Sequence, residues 1–165
     1  MNDQHEMQES DAARSAITAA ARTGIKSSAL GLVIGGAISL YLGMTFAAGP
    51  LWATTPEEAE WWTAVDNALF WCLRAVGVLF LIAAALAAAG QRSSMLLATL
   101  VEGVFIALMV VMSIVWTVEA RIAGGWNIQV ILLLILAALA VSGARRSWEL
   151  YRAAQPRDEV QPPAP

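Results

Sequence analysis

Arg74 and Glu102 are the two formal charges that fall inside otherwise apolar stretches of this 165-residue chain. A charge at the middle of an inserting helix costs about 2.5–3.5 kcal/mol, so such residues are usually paired, hydrated or functional. Glu102 is a candidate protonatable group that couples proton binding to transport. The favoured alternative is structural, with the carboxyl hydrogen-bonded to a neighbouring helix. The residues expected at its depth, Gly35–Gly36, Ala84–Ala85 and Ala137–Ala138, are all small. They leave space for water or a cation, or let the helices close on a carboxylic acid. Ser113, eleven positions on and so on the same helix face, extends a thin polar seam.

A salt bridge between the two charges is the obvious pairing. Counted from a tight turn near Gln91–Arg92, Arg74 and Glu102 differ in depth by seven positions, about 10 Å at ~1.5 Å per residue. A direct pair is therefore not the expected arrangement. Arg74 is instead level with Gly43–Thr45, Met109–Ser113 and Gln129, and it shares a face with Asn67. A guanidinium reaching outward would meet Asn67, Asp66 or lipid phosphate.

Other chemistry is sparse. Cys72 is the single cysteine, which excludes an internal disulfide or a CxxC pair, and it reads as a small apolar filler. His5 is the single histidine and lies in a polar tail, so neither bis-histidine haem nor a usual His/Cys zinc site can be assembled within one chain. Ser93 and Ser94 fall in the turn and read as capping residues. There is no GxSxG, HExxH, P-loop or dinucleotide-binding glycine pattern. The expectation is a protein that is not an enzyme and carries no cofactor or metal. A net charge of −3 with few basic residues gives no reason to expect nucleic-acid binding.

The elements that must position these residues are four apolar stretches, roughly 28–52, 68–89, 95–118 and 128–142. Crossing about 30 Å of hydrocarbon takes about 20 apolar residues in a helix. Apolar residues make up 58% of the chain and charged ones 14%, against about 45–50% and 25% in soluble domains. The fold expected is an all-α integral membrane protein, a four-helix up-down-up-down bundle. Residues 27–143 form the bundle, 1–26 a cytoplasmic tail and 144–165 a basic juxtamembrane helix followed by a Pro-rich tail.

Basic residues set the orientation. Arg14, Arg22 and Lys26 precede the first span, Arg92 lies between spans two and three, and Arg145, Arg146, Arg152 and Arg157 follow the fourth. The other two loops carry acidic residues and Arg121 alone. The positive-inside rule then places both termini in the cytoplasm of a cell membrane. Trp52, Trp61, Trp62, Trp71, Trp116 and Trp126 form an outer aromatic belt, with Trp148 and Tyr151 as its inner counterpart. Arginine outnumbers lysine nine to one, a bias that suits a bacterial source. The first span reads as a retained anchor rather than a cleaved signal, since it follows about 26 polar residues and is long.

Flanking segments read simply. Residues 1–10 are expected to be disordered, and Asp11–Lys26 to form a helix that lies on the inner surface or continues into the first span. Thr55 and Pro56 can start a short helix in the first outer loop. Gly124–Gly125 read as the turn into the fourth span, and the stretch from Gln155, with four prolines in eleven residues, as a flexible tail.

The first span also carries Ser27, Gly31, Gly35, Ser39, Gly43 and Ala47 at intervals of four. Such a ridge lets two helix backbones approach closely in lipid. Pairing with span two or four of the same chain is favoured over a second copy or a partner subunit. The most economical function is a small non-enzymatic accessory or assembly component, or a homo-oligomer, in contact with the lipid bilayer. The runner-up is a small oligomeric transporter or channel, with Glu102 as its coupling site and Arg74 as an anion contact.

Overall fold

Pro56 opens one helix and Gly90 and Gly124 each follow the end of another. The computed structural model describes residues 2–45, 55–122, 124–125 and 128–155, with the side chains of 2–14 and 17 left aside. It has four helices: α1 Asn2–Thr45, α2 Pro56–Ala88, α3 Ser93–Ile122 and α4 Gln129–Ala153. All four are long and apolar enough to cross a membrane, α1 over Thr18–Thr45, and no strand is present among the described residues. The molecule is a small multi-pass membrane protein.

The helices outrun the apolar stretches that announce them. α2 begins at Pro56 rather than near residue 68: the Thr55 hydroxyl accepts from the Glu58 N–H at 3.2 Å, Pro56 occupies the first turn, and Glu57 and Glu58 face the positive end of the dipole. Nothing after that start breaks a helix, so the short outer helix expected there is simply the beginning of α2. The expectation of disorder over 1–10 is likewise corrected, because α1 is helical from Asn2. An acidic sequence (Asp3, Glu6, Glu9, Asp11) suits a helix N-terminus, and neither glycine nor proline occurs before Gly24. Asp11–Lys26 therefore continues directly into the first span, and Ala144–Arg152 continues α4. Residues 46–52 of the first span, Trp52, Trp126, Asn127 and the tail beyond Gln155 lie outside the described residues.

Both tight turns close by the same device. At Gly90 (φ 72°) the Gly90 N–H donates to Ala87 O at 2.8 Å and the Gln91 N–H to Leu86 O at 3.0 Å. At Gly124 (φ 73°) the Gly124 N–H donates to Arg121 O at 3.1 Å and the Gly125 N–H to Ala120 O at 2.8 Å. These paired bonds satisfy helix-end carbonyls, and the left-handed residue they require is a glycine in both places.

Packing divides the bundle into two antiparallel hairpins. α1 lies mainly on α2 and α4 on α3, α2 and α3 join the hairpins, and α1 touches α3 and α4 only lightly. The α2–α3 interface is the core, built from Phe70, Leu73 and Phe80 against Met95, Met109 and Met112. Phe80 and Phe105 meet edge to face, 5.8 Å between ring centres. Large apolar side chains such as Leu30, Leu100, Ile114, Ile131 and Leu139 point outward, as lipid contact requires.

α1 approaches α2 through small residues. A β-carbon on Gly77 would lie 2.7 Å from Leu40 Cγ and 3.1 Å from Gly36 O; one on Gly36 would lie 3.1 Å from Gly77 O. Between Gly36 and Gly43, the buried Ser39 hydroxyl donates to Leu73 O at 2.7 Å, which fixes the register across two helices. Gly35 rests on the Phe80 ring and Gly43 on Phe70 O and Arg74, whereas Gly31 has nothing within 4 Å. Thus Gly35, Ser39 and Gly43 meet α2, and Gly31 faces open space. Gly77→Val should lower stability by about 1–3 kcal/mol through overpacking, read as a fall in melting temperature in detergent, while Gly31→Ala should leave it unchanged.

Candidate functional site

Glu102 lies a little over two turns into α3, one position beside the Val101 that faces the core. That offset turns its side chain toward α4. The residue is only 7% exposed, and its carboxyl is hydrogen-bonded to the Ser147 hydroxyl, itself buried. Gly143 makes the approach possible: a β-carbon there would sit 2.5 Å from Oε1 and 3.2 Å from Cδ. The carboxyl is thus pressed against the α4 backbone at one oxygen. Its other oxygen, Oε2, is buried with no hydrogen-bond partner. Other atoms of Glu102 line, together with Arg146, a cavity of about 310 Å³ between α1 and α4.

The α4 residues beside Glu102 are Gly143 and Ser147, not the expected Ala137–Ala138. α3 continues to Ile122 and turns at Gly124, so residues equally far from that turn are level. Glu102 and residue 146 are both 22 positions from it. Ser113, the other member of the seam, is buried and returns its hydroxyl to Met109 O at 2.7 Å.

Arg74 is engaged elsewhere. Its Nε–H donates to Gly43 O at 2.7 Å, and the guanidinium lies 4.6 Å over the Trp71 ring. Gly43 belongs to α1, so this bond crosses the α1–α2 interface. Arg74 therefore ties α2 to the backbone of α1. The structure gives the two intramembrane charges separate partners on separate helices.

A second polar cluster was not legible as such in the sequence. Asp66, 5% exposed on α2, accepts from the Trp116 indole N–H on α3, and the Glu119 carboxyl is close enough to feel its charge. One oxygen of each acid, Asp66 Oδ1 and Glu119 Oε1, is buried with no partner. Asp66 is thus held by Trp116 rather than reaching Arg74, and Trp116 is buried instead of joining an aromatic belt. The missed signal is periodicity: Asp66 continues the Phe70–Leu73–Gly77–Phe80 stripe, and Glu119 the Met109–Met112–Trp116 stripe. Among the described residues no three His, Cys, Asp or Glu side chains group as metal ligands.

The opposite end of the bundle is basic and aromatic. Arg92 stacks over Tyr151 at 4.6 Å, and Trp148 stacks on Tyr151 at 5.6 Å. A β-carbon on Gly90 would touch Lys26 Cε and Arg22 Cγ at 3.2 and 3.3 Å, so α1, the inner turn and α4 bring their basic residues to one end. Ser94 donates its hydroxyl to Gln91 O in that turn. Cys72 is exposed on the outer surface of α2, and the His5 side chain lies outside what is described.

No family model matches this chain, and no curated protein or solved structure shows significant similarity to it.

Gly143→Ala places a β-carbon 2.5 Å from Glu102 Oε1, so it should push the carboxyl out of its contact with α4. The expected cost is about 1–3 kcal/mol, measured as a melting-temperature drop that Ala140→Gly, on the same helix and the same cavity wall, does not reproduce through the same contact. Restoration of stability in a Gly143→Ala, Glu102→Ala double variant would show that the two residues act as a unit.

Proposed function

We propose that this protein is a non-enzymatic accessory or assembly component of a cell membrane that works by association, with a second copy or with another membrane protein. The observation that carries this reading is on the outer face of α3. Gly103 is exposed with nothing within 4 Å of a β-carbon, and Thr99 and Ala107 lie one helical turn to either side. The Thr99 hydroxyl is turned back onto Met95 O at 2.8 Å, which leaves a shallow, smooth ridge. Small residues spaced in this way permit close backbone approach, the chief source of helix affinity in lipid. The α1 ridge, by contrast, is largely occupied by α2 within the chain.

The gathering of Arg22, Lys26 and Arg92 at the end that carries both termini supports placing that end in the cytoplasm. Tags on either terminus should accordingly resist protease added outside intact cells.

A second reading makes the chain a small oligomeric transporter or channel with Glu102 as a protonatable coupling site. It is favoured by one specific fact, a buried intramembrane carboxyl on a residue that lines a cavity. Proton flux into liposomes that matched between wild type and Glu102→Gln would remove it.

For the association reading, native mass measurement in nanodiscs should find a dimer or larger, or a co-purifying membrane protein. Gly103→Leu should abolish that association without altering helix content. A wild-type chain that is monomeric and brings no partner from native membranes would end the reading.

A further inference from the structure

Residues 18–28, 88–95 and 143–155 meet at one end of the bundle, where Gly90 lies beside Arg22 and Lys26, Gly24 beside Leu150, and Arg92 over Tyr151. Those segments carry Arg22, Lys26, Arg92, Arg145, Arg146 and Arg152 against a single acid, Glu149. Arg146 differs from the other bases because it lines the cavity between α1 and α4, beside Ser27, Ser28 and Glu102. The two serine hydroxyls donate to Gly24 O at 2.8 Å and Ile25 O at 2.7 Å, and Ser147 holds the Glu102 carboxyl. The Arg146 guanidinium has no hydrogen bond, ion pair or ring contact with any described residue. Farther in, the walls are apolar, from Ile38 of α1, Phe80 of α2, Phe105 of α3, and Leu136 and Leu139 of α4.

The dimensions of the cavity select an occupant. From Arg146 to Leu136 it follows ten residues of α4, about 15 Å at ~1.5 Å per residue. That is the depth of one leaflet, half of the about 30 Å of bilayer hydrocarbon. A volume of about 310 Å³ over this length gives a mean section of about 20 Å², far narrower than a helix about 10–12 Å across. A single alkyl chain fits the slot, and the helix of a second copy does not. The way in is lateral: Leu139 is 63% exposed and Ile34 52%, Gly31 has nothing within 4 Å, and α1 and α4 touch only lightly.

We infer that this cavity holds one acyl chain of an anionic phospholipid, with the lipid phosphate bound by Arg146 at the basic end. A guanidinium offers paired N–H groups that match two phosphate oxygens. Six bases against one acid favour a lipid of net negative charge over a zwitterionic one, whose ammonium the same field repels. The Glu102 carboxyl does not take the place of the phosphate, since its Oε1 lies against Gly143 and its Oε2 is buried. A water-soluble phosphate would leave the apolar length of the slot unfilled.

The test is native mass spectrometry of the delipidated full-length protein in maltoside micelles, titrated with phosphatidylglycerol or phosphatidylcholine of identical acyl chains. Wild type should take up one phosphatidylglycerol per chain saturably and phosphatidylcholine at least ten-fold more weakly. Arg146→Gln should weaken phosphatidylglycerol at least ten-fold, whereas Arg145→Gln, which removes the same charge one residue outside the cavity wall, should not. Gly31→Leu, which fills the open space, should weaken it at least ten-fold while keeping wild-type circular dichroism. Glu102→Gln should retain the lipid. Equal affinity for the two lipids, equal effects of Arg145→Gln and Arg146→Gln, or undiminished binding in folded Gly31→Leu would overturn the proposal. Loss of the lipid in folded Glu102→Gln would do the same, by making the carboxyl the anchor. Displacement of the lipid by equimolar glycerol phosphate would show a phosphate site with no need of the chain, and would also overturn it. The same spectra give oligomeric mass separately, so a monomer that carries the lipid would end the association reading and leave the site standing.

Discussion

Hydrocarbon offers a buried carboxyl neither a donor nor a counter-charge, and the position of Glu102 is what this bundle has arranged itself around. Water would solvate the group wherever it pointed. In lipid the protein must supply the donor, and it does so with Ser147 across a gap that exists because residue 143 has no side chain. That contact links α3 to α4 at one depth. Glu102 also lines a cavity between α1 and α4, while its Oε2 stays buried without a partner.

The same solvent explains why glycine matters elsewhere in the fold. No hydrophobic force draws one apolar helix onto another when the tails around them are equally apolar. α1 is held to α2 by close backbone approach at Gly36 and Gly77, by the Ser39 hydroxyl on Leu73 O, and by the Arg74 Nε–H on Gly43 O. Each of these interactions belongs to one hairpin. Only α2 and α3 pack extensively between hairpins, so the side where α1 faces α4 is left open. An open seam and a carboxyl behind it are thus two consequences of one packing scheme.

Four membrane helices and the two turns near Gln91–Arg92 and Gly124–Gly125 were legible in the sequence, because apolar runs and the breaks between them are local signals; the left-handed Gly90 that closes the first turn was not singled out. Depth counting from the Gln91–Arg92 turn also placed Arg74 level with Gly43, where its guanidinium is found. Helix ends were less legible: at Thr55–Pro56 and over the polar N-terminus the helix continues on intrinsic propensity and capping, which hydropathy does not register. The length of α3 in turn displaced the expected neighbours of Glu102 from Ala137–Ala138 to Gly143 and Ser147. Trp116 read as an interfacial residue because its burial and its bond to Asp66 depend on another helix. Asp66 and Glu119 read as loop acids for the same reason.

The central claim is that the Glu102 carboxyl is bonded across the helix interface to α4. Infrared difference spectra between wild type and Glu102→Gln in lipid isolate the band of that one carboxyl group. The band should shift when Ser147 is replaced by alanine, since the hydroxyl that perturbs it is gone. A band that stays in place in Ser147→Ala would contradict the account.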